Sequence, residues 1–457
     1  MSPRLSCRHA FNLCVFSFVL VGFMSGTGMA QTDVPDGPPS FVSMAPVPLV
    51  DASGLSNPAA TLEFPAGATT SKGSLPANDN SAASGPGTAG EAMFSGGKSS
   101  PIGGVITGLD TVPTFAGAFA GQSGPSLGVV FPFIMVGNDP RVGGTTHIPV
   151  QMTAVSLRLL NQDGSVQTDI PFAPFEDLTE DSPNFSASSF TSGHHIQFGD
   201  AVQRAEFFKS MEEDWHTVLD SPRIVNRVTI TIPAFVSVRL PDGTTTSVQA
   251  YYLKHAPNGD AWVEVLDILF NSLNFGQAIN DVSAGNFTTD AININMYPNT
   301  FLFSIDTKGN FSGCCVIGYH TYILQSGTTP QPRWLFNYAS WISPGIFRGG
   351  VQDITALSHE ISETLNDPFV NTATPRWEFP GRTTCQGNLE TGDPVEVLPT
   401  STVSITLRER REVFQYHPQT EALLQWFEMG AASDAIGGAF SYPDKTALPK
   451  SATPCPQ

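Results

Sequence analysis

Apolar and polar positions change their spacing several times along this chain, and each change marks an element. Residues 129–136 form an apolar run of strand character, and residues 150–160 alternate as a half-buried strand does. Two β-rich runs, 227–240 and 245–253, flank Pro241-Asp242-Gly243, a hairpin signal. Further β-type runs follow at 291–305, 315–324 and 334–342. Helical spacing is read at 198–219, where Ala201, Ala205, Phe208 and Trp215 fall roughly on one face, and again at 262–273. A third helix is expected over 353–365, stopped by Asp367-Pro368. A β-like run at 403–407 and an apolar segment at 422–427 close the pattern. Strands in groups with interspersed helices predict an α+β fold, with one main domain over 127–450 and no internal repeat.

The first 126 residues read differently. Arg4 and Arg8 precede an apolar run at 11–24, and small residues then lead to Gly28-Met29-Ala30. That layout is a cleavable secretory signal over 1–30, the run being short for a membrane span. Residues 31–126 are rich in Gly, Ala, Ser, Pro and Thr without period, as in a flexible linker or pro-segment. No later stretch is long and apolar enough to cross a bilayer, so the mature chain is expected to carry no stable span and to work outside the cytoplasm, secreted or in the periplasm or envelope. Of six cysteines, Cys7 and Cys14 leave with the signal. Cys314, Cys315, Cys385 and Cys455 remain, an even number suited to an oxidising compartment and to two disulfides. The adjacent pair Cys314-Cys315 is expected not to close on itself. A net charge of −19 disfavours nucleic acid and anionic membranes as partners.

The chemistry concentrates in His359-Glu360-Ile361-Ser362-Glu363. On a helix, Ile354, Leu357, Ile361 and Leu365 make one apolar stripe. His359 and Glu363 lie together on the other side, one turn apart, and both can reach one point. Imidazole nitrogen and carboxylate oxygen are good zinc ligands. Glu360 is adjacent and placed to take a proton from a zinc-bound water, whose pKa the metal lowers to about 7. In the familiar H-E-x-x-H helix the second ligand is His; here Glu363 stands in its place. A third ligand is expected from Gly387-Asn-Leu-Glu-Thr-Gly-Asp-Pro394, with Glu390 first and Asp393 as the alternative ligand or as the group that orients His359. His320, Tyr416 and His417 are candidates for stabilising an oxyanion. His194-His195 reads as surface loop, and Trp334, Trp341, Trp377 and Trp426 either belong to the core or line a binding groove.

The stretch Leu357-Ser-His-Glu-Ile-Ser-Glu-Thr-Leu-Asn-Asp-Pro368, followed by Trp377, Cys385 and Glu390-Thr-Gly-Asp393, resembles secreted bacterial zincin-like metallopeptidases of the H-E-x-x-E type. It is more distantly similar to the plant phosphate-induced/exordium cell-wall proteins. Residues 313–320 and 198–205 resemble further blocks of the bacterial group. The resemblance implies a zincin-like fold of mixed sheet and active-site helix, with His359, Glu360 and Glu363, then Glu390, as its site. The expected function is zinc-dependent hydrolysis of peptide bonds in a protein or peptide substrate. The alternative is a non-catalytic extracellular or cell-wall-associated protein that keeps the fold.

Overall fold

The computed structural model describes residues 112–455, apart from 191–194, 241, 326–331, 348–349, 397, 399–400 and 410–411, together with two strand pieces at 40–41 and 47–48. The leader expected at 1–30, nearly all of 31–111, and His194 lie outside the described residues.

A mixed sheet dominates. Its main path uses β1 (Val150–Leu160), β2 (Arg223–Ile232), β3 (Tyr251–His255), β4 (Ala261–Leu266), β5 (Ile292–Pro298), β6 (Thr300–Ile305), β7 (Phe311–Leu324) and β8 (Arg333–Trp341). The order is β2-β1-β5-β8-β7-β6-β4-β3. Strands β2, β1, β5 and β8 run parallel, while β7 is antiparallel to both β8 and β6. Ser40–Phe41 and Val47–Pro48 pair in parallel with β7.

Both faces of the sheet are covered, so its central strands are apolar on both sides. In β1, Val150, Met152 and Ala154 face one core, and Val155, Leu157 and Leu159 face the other. Helix α1 (Phe198–Glu206) precedes the sheet's second strand, α2 (Asp267–Ser283) follows β4, and α3 (Thr355–Asn366) follows β8. Leu269, Phe270, Phe275 and Ala278 of α2 join the second core. Leu357, Ile361 and Leu365 of α3 join the first, as the apolar stripe requires. Helix α1 lies close against α3 at Gly199, where a Cβ would stand 2.5 Å from Leu365 Cδ1. Asp281 of α2 accepts from Thr153, Asn226, Gln277 and Asn286 at 2.8–2.9 Å, tying α2 to β1 and β2.

Several expected elements shift. The helix read over 198–219 ends at Glu206, and His216–Leu219 is a strand, because Trp215 packs with Phe115 and Phe207 in a separate aromatic core. The helix expected at 262–273 begins at Asp267 instead, since Ala261–Leu266 is a strand with almost every residue buried and therefore shows no alternation. Thr114–Ala120 pairs with Val130–Val136, so folded chain starts ahead of residue 127. Trp341, Trp377 and Trp426 are core residues, and Trp334 is half-buried.

Cys385 is bonded to Cys455, holding the C-terminal strand Thr453–Pro454 beside Ala373–Glu378. Against expectation, Cys314 and Cys315 are bonded to each other; the peptide between them is cis and their Cα atoms are 3.0 Å apart. Among the described residues no helix is long and apolar enough to cross a membrane.

Candidate metal centre

Helix α3 runs across β7 and β8 and is buried along its whole length. The sequence anticipates one buried stripe; the opposite face is buried too, because residues 389–396 and 417–423 close over it. That covering loop is pinned from both sides, by Leu389 N–H on Thr372 O and Ala422 N–H on Thr391 O. The polar residues of the helix are therefore bonded inward. Thr364 donates to Asn337 Oδ1 at 2.8 Å, and Gln419 N–H donates to Ser358 Oγ at 2.9 Å.

His359, Glu360 and Glu363 come together with His320, Glu390 and Asp393, and all six are at most 4% exposed. His320 arrives from β7, where it pairs with Asn337 of β8 and so points toward α3. Gly318 lies two residues earlier on the same face. A Cβ there would stand 2.4 Å from Glu360 Oε1, so the glycine makes the space that Glu360 occupies. Gly392 does the same for His359, since its Cβ would be 2.2 Å from Nδ1. Gly392→Ala is expected to destabilise the fold by about 1–3 kcal/mol, because neither a pinned loop nor a wedged imidazole can give way. Denaturant unfolding checks this; wild-type stability in the variant would show that the ring can move.

Gln419 sets the orientation of His359. Its Nε2 donates to Gly392 O at 2.7 Å, which leaves Oε1 facing His359 Nδ1 at 3.1 Å. Nδ1 therefore carries a proton, and Nε2 is left to meet the carboxylates, as an N–H donor when the ring is protonated or as a lone pair on a metal ion. That nitrogen stands 3.0 Å from Glu363 Oε1 and 3.8 Å from Asp393 Oδ1. A proton on Nε2 or a metal ion between the nitrogen and the carboxylates would each satisfy this contact. On the other side, His320 Nδ1 stands 3.1 Å from Glu363 Oε2, 3.6 Å from Glu360 Oε2 and 3.9 Å from Glu390 Oε2. Neither oxygen of Glu360 has a hydrogen-bond partner among the described residues. Asp393 accepts from Gln386 at 2.7 Å, and Glu390 accepts from Asn388. Glu363 Oε1 also accepts from Gly392 N–H at 3.1 Å.

The electrostatics follow from burial. Burial alone would lower the pKa of His359, but Glu363 and then Glu360 raise it well above the usual histidine value. For His320 burial again opposes, and Glu390, Glu360 and Glu363 prevail, raising it. Burial pushes Glu390 and Asp393 up, and Glu363 adds to both. Glu360 is raised mainly by burial, against the pull of His320 and His359. Burial would also raise Glu363, but the two imidazoles hold it below the ordinary carboxylate range. Without a metal, protons must do the compensating.

His359, Glu360 and Glu363 form one group of ligand atoms within 4.8 Å of one another, and His320, Glu363 and Glu390 form another; each could hold a metal ion. Glu390 thus stands with His320 rather than with His359, while Asp393 is on the His359 side. Tyr416 and His417 are engaged elsewhere. The Tyr416 hydroxyl donates to Leu178 O at 2.8 Å, and His417 pairs with Asp353 at 2.7 Å where α3 begins. His195 is exposed in a two-residue strand. Gln419, Gln386, Gly318 and the buried Glu421 were not anticipated; only Gly318, two residues before His320 on a β run, carries a local signal. No family model, no curated protein and no solved structure matches this chain.

Proposed function

We propose that this is an exported, zinc-dependent hydrolase of peptide bonds with a zincin-like arrangement of helix and sheet. His359 and Glu363 hold the metal, and Glu360 is the general base. Export is supported by the leader-like pattern of residues 1–30 and by the Cys385–Cys455 disulfide. One observation carries the metal: Gln419 takes the His359 Nδ1–H and so aims Nε2 at the Glu363 carboxylate 3.0 Å away, where one ion can bind both. Nitrogen and oxygen donors of this kind suit zinc.

When bound there, zinc lowers the pKa of a coordinated water to about 7 and polarises a carbonyl. The chain supplies the rest. Glu360 holds a carboxylate beside the ligand pair with no hydrogen bond competing for its oxygens, so it can accept a proton from the attacking water and pass it to the leaving amine. The buried His320 ring stands beside Glu360, with Nδ1 3.6 Å from Oε2. Complete burial keeps bulk water away from Glu360.

The same burial favours a second reading, in which the metal staples α3, β7 and the covering loop without catalysis. The first test serves both: purified mature protein is expected to hold at least one equivalent of zinc, and His359→Ala to reduce it. A wild-type protein that takes up no zinc in equilibrium dialysis would end both readings.

A further inference from the structure

We propose that the centre is binuclear, with Glu363 bridging two divalent cations. This rests on the metal-binding reading above and extends it. The donors divide into two sets that share Glu363, namely His359, Glu360 and Glu363, and His320, Glu363 and Glu390; Asp393 stands beside the first. On one side are His359 Nε2 and Glu363 Oε1, 3.0 Å apart, with Asp393 Oδ1 3.8 Å from the same nitrogen. On the other are His320 Nδ1 and Glu363 Oε2, 3.1 Å apart, with Glu390 Oε2 at 3.9 Å from that nitrogen. The two oxygens of one carboxylate thus face opposite imidazoles. That is the disposition of a bridging carboxylate, which presents one oxygen to each ion.

Each side sets an imidazole nitrogen against carboxylate oxygens. Gln419 takes the His359 Nδ1–H, so Nε2 is the nitrogen that faces Glu363 and Asp393. His320 is buried with Nδ1 surrounded by the oxygens of Glu360, Glu363 and Glu390, and its Nε2 has no hydrogen-bond partner among the described residues. Glu360, Glu363, Glu390 and Asp393 are all buried in one cluster, a density of carboxylates that two cations can hold. Glu390 and Asp393 need not compete for a single third-ligand position: Glu390 completes the His320 side and Asp393 the His359 side. Glu360 lies between the two sides with both oxygens free of hydrogen bonds, as a base serving a bridged pair of ions would.

The full mature chain, stripped with chelator and dialysed against Zn²⁺, is expected to bind two equivalents. X-ray absorption of the loaded protein is expected to show zinc–zinc scattering at about 3.5–4 Å, the separation of two-metal sites. His320→Gln and His359→Gln should each retain one equivalent and lose that scattering. One equivalent in the wild type would overturn the bridge and leave the mononuclear reading standing. Two equivalents without zinc–zinc scattering would also overturn it, by placing the second ion elsewhere. No zinc at all would remove this inference together with the reading it rests on. The wild-type measurements decide the matter even if a variant fails to fold.

Discussion

Glu360→Gln is expected to keep wild-type zinc content and to lower peptide hydrolysis about 10²–10⁴-fold. The amide matches the carboxylate in shape, so it fits the space left by Gly318, where even one added carbon would stand 2.4 Å from Glu360 Oε1. It cannot accept and return a proton. The wild-type carboxyl is suited to that work: burial raises its pKa, while His320 and His359 pull it back, so the group is a stronger base than an exposed glutamate. Stability should fall by no more than about 1–3 kcal/mol, the cost of amide N–H groups without partners, set against a buried charge removed. Zinc analysis and hydrolysis of denatured casein, on the same preparation, check both halves. Activity persisting in the zinc-loaded variant would remove Glu360 as the base. Loss of zinc would make it a ligand instead. Zinc in a wild-type protein that hydrolyses nothing would favour the stapling role, which the burial of every donor already supports.

The parts of this arrangement legible in the sequence are those set by local spacing. His359 and Glu363 are one helical turn apart, so their convergence needs only a helix, and Asp367-Pro368 marks where it ends. Strand β1 coincides with the run read over 150–160, although both of its faces are packed by distinct cores and it is not half-buried. The rest depends on strand register and loop closure, which spacing does not encode. His320 reaches the cluster because β7 pairs it with Asn337 of β8, beneath α3. Gln419 matters only because its segment closes over the helix and bonds both Ser358 and Gly392. Glu390 and Asp393 are three residues apart on one loop, and composition could not show that they flank Glu363 on different sides. Continuous burial hides elements as well: Ala261–Leu266 reads equally well as helix, since no polar face interrupts it.

Glu206→Gln is expected to remove a loss of stability that the wild type suffers between weakly acidic and alkaline pH. Glu206 ends α1 and is 2% exposed. Its Oε1 accepts from Leu424 N–H at 3.1 Å and Asn366 Nδ2 at 3.4 Å, while Oε2 has no hydrogen-bond partner among the described residues. Burial pushes its pKa up from 4.5 to about 8, with the Leu424 bond pulling slightly the other way. The folded protein therefore binds a proton that the unfolded chain has released between pH 4.5 and about 8. Stability from this group is full below pH 4.5, falls across that window, and is lost above about pH 8. The slope is on the order of 1.4 kcal/mol per pH unit, and several kcal/mol accumulate across the window. Gln keeps the acceptor for Leu424 and carries no charge, so it should cost up to about 1–3 kcal/mol at pH 5, where its second N–H lacks a partner, and stabilise at pH 8.5. Urea unfolding of the zinc-loaded pair, from pH 5 to 9, gives the variant-minus-wild-type difference, in which the titrations of the metal centre cancel. A difference that stays constant with pH would mean that Glu206 remains ionised in the folded protein, with water or a cation reaching Oε2.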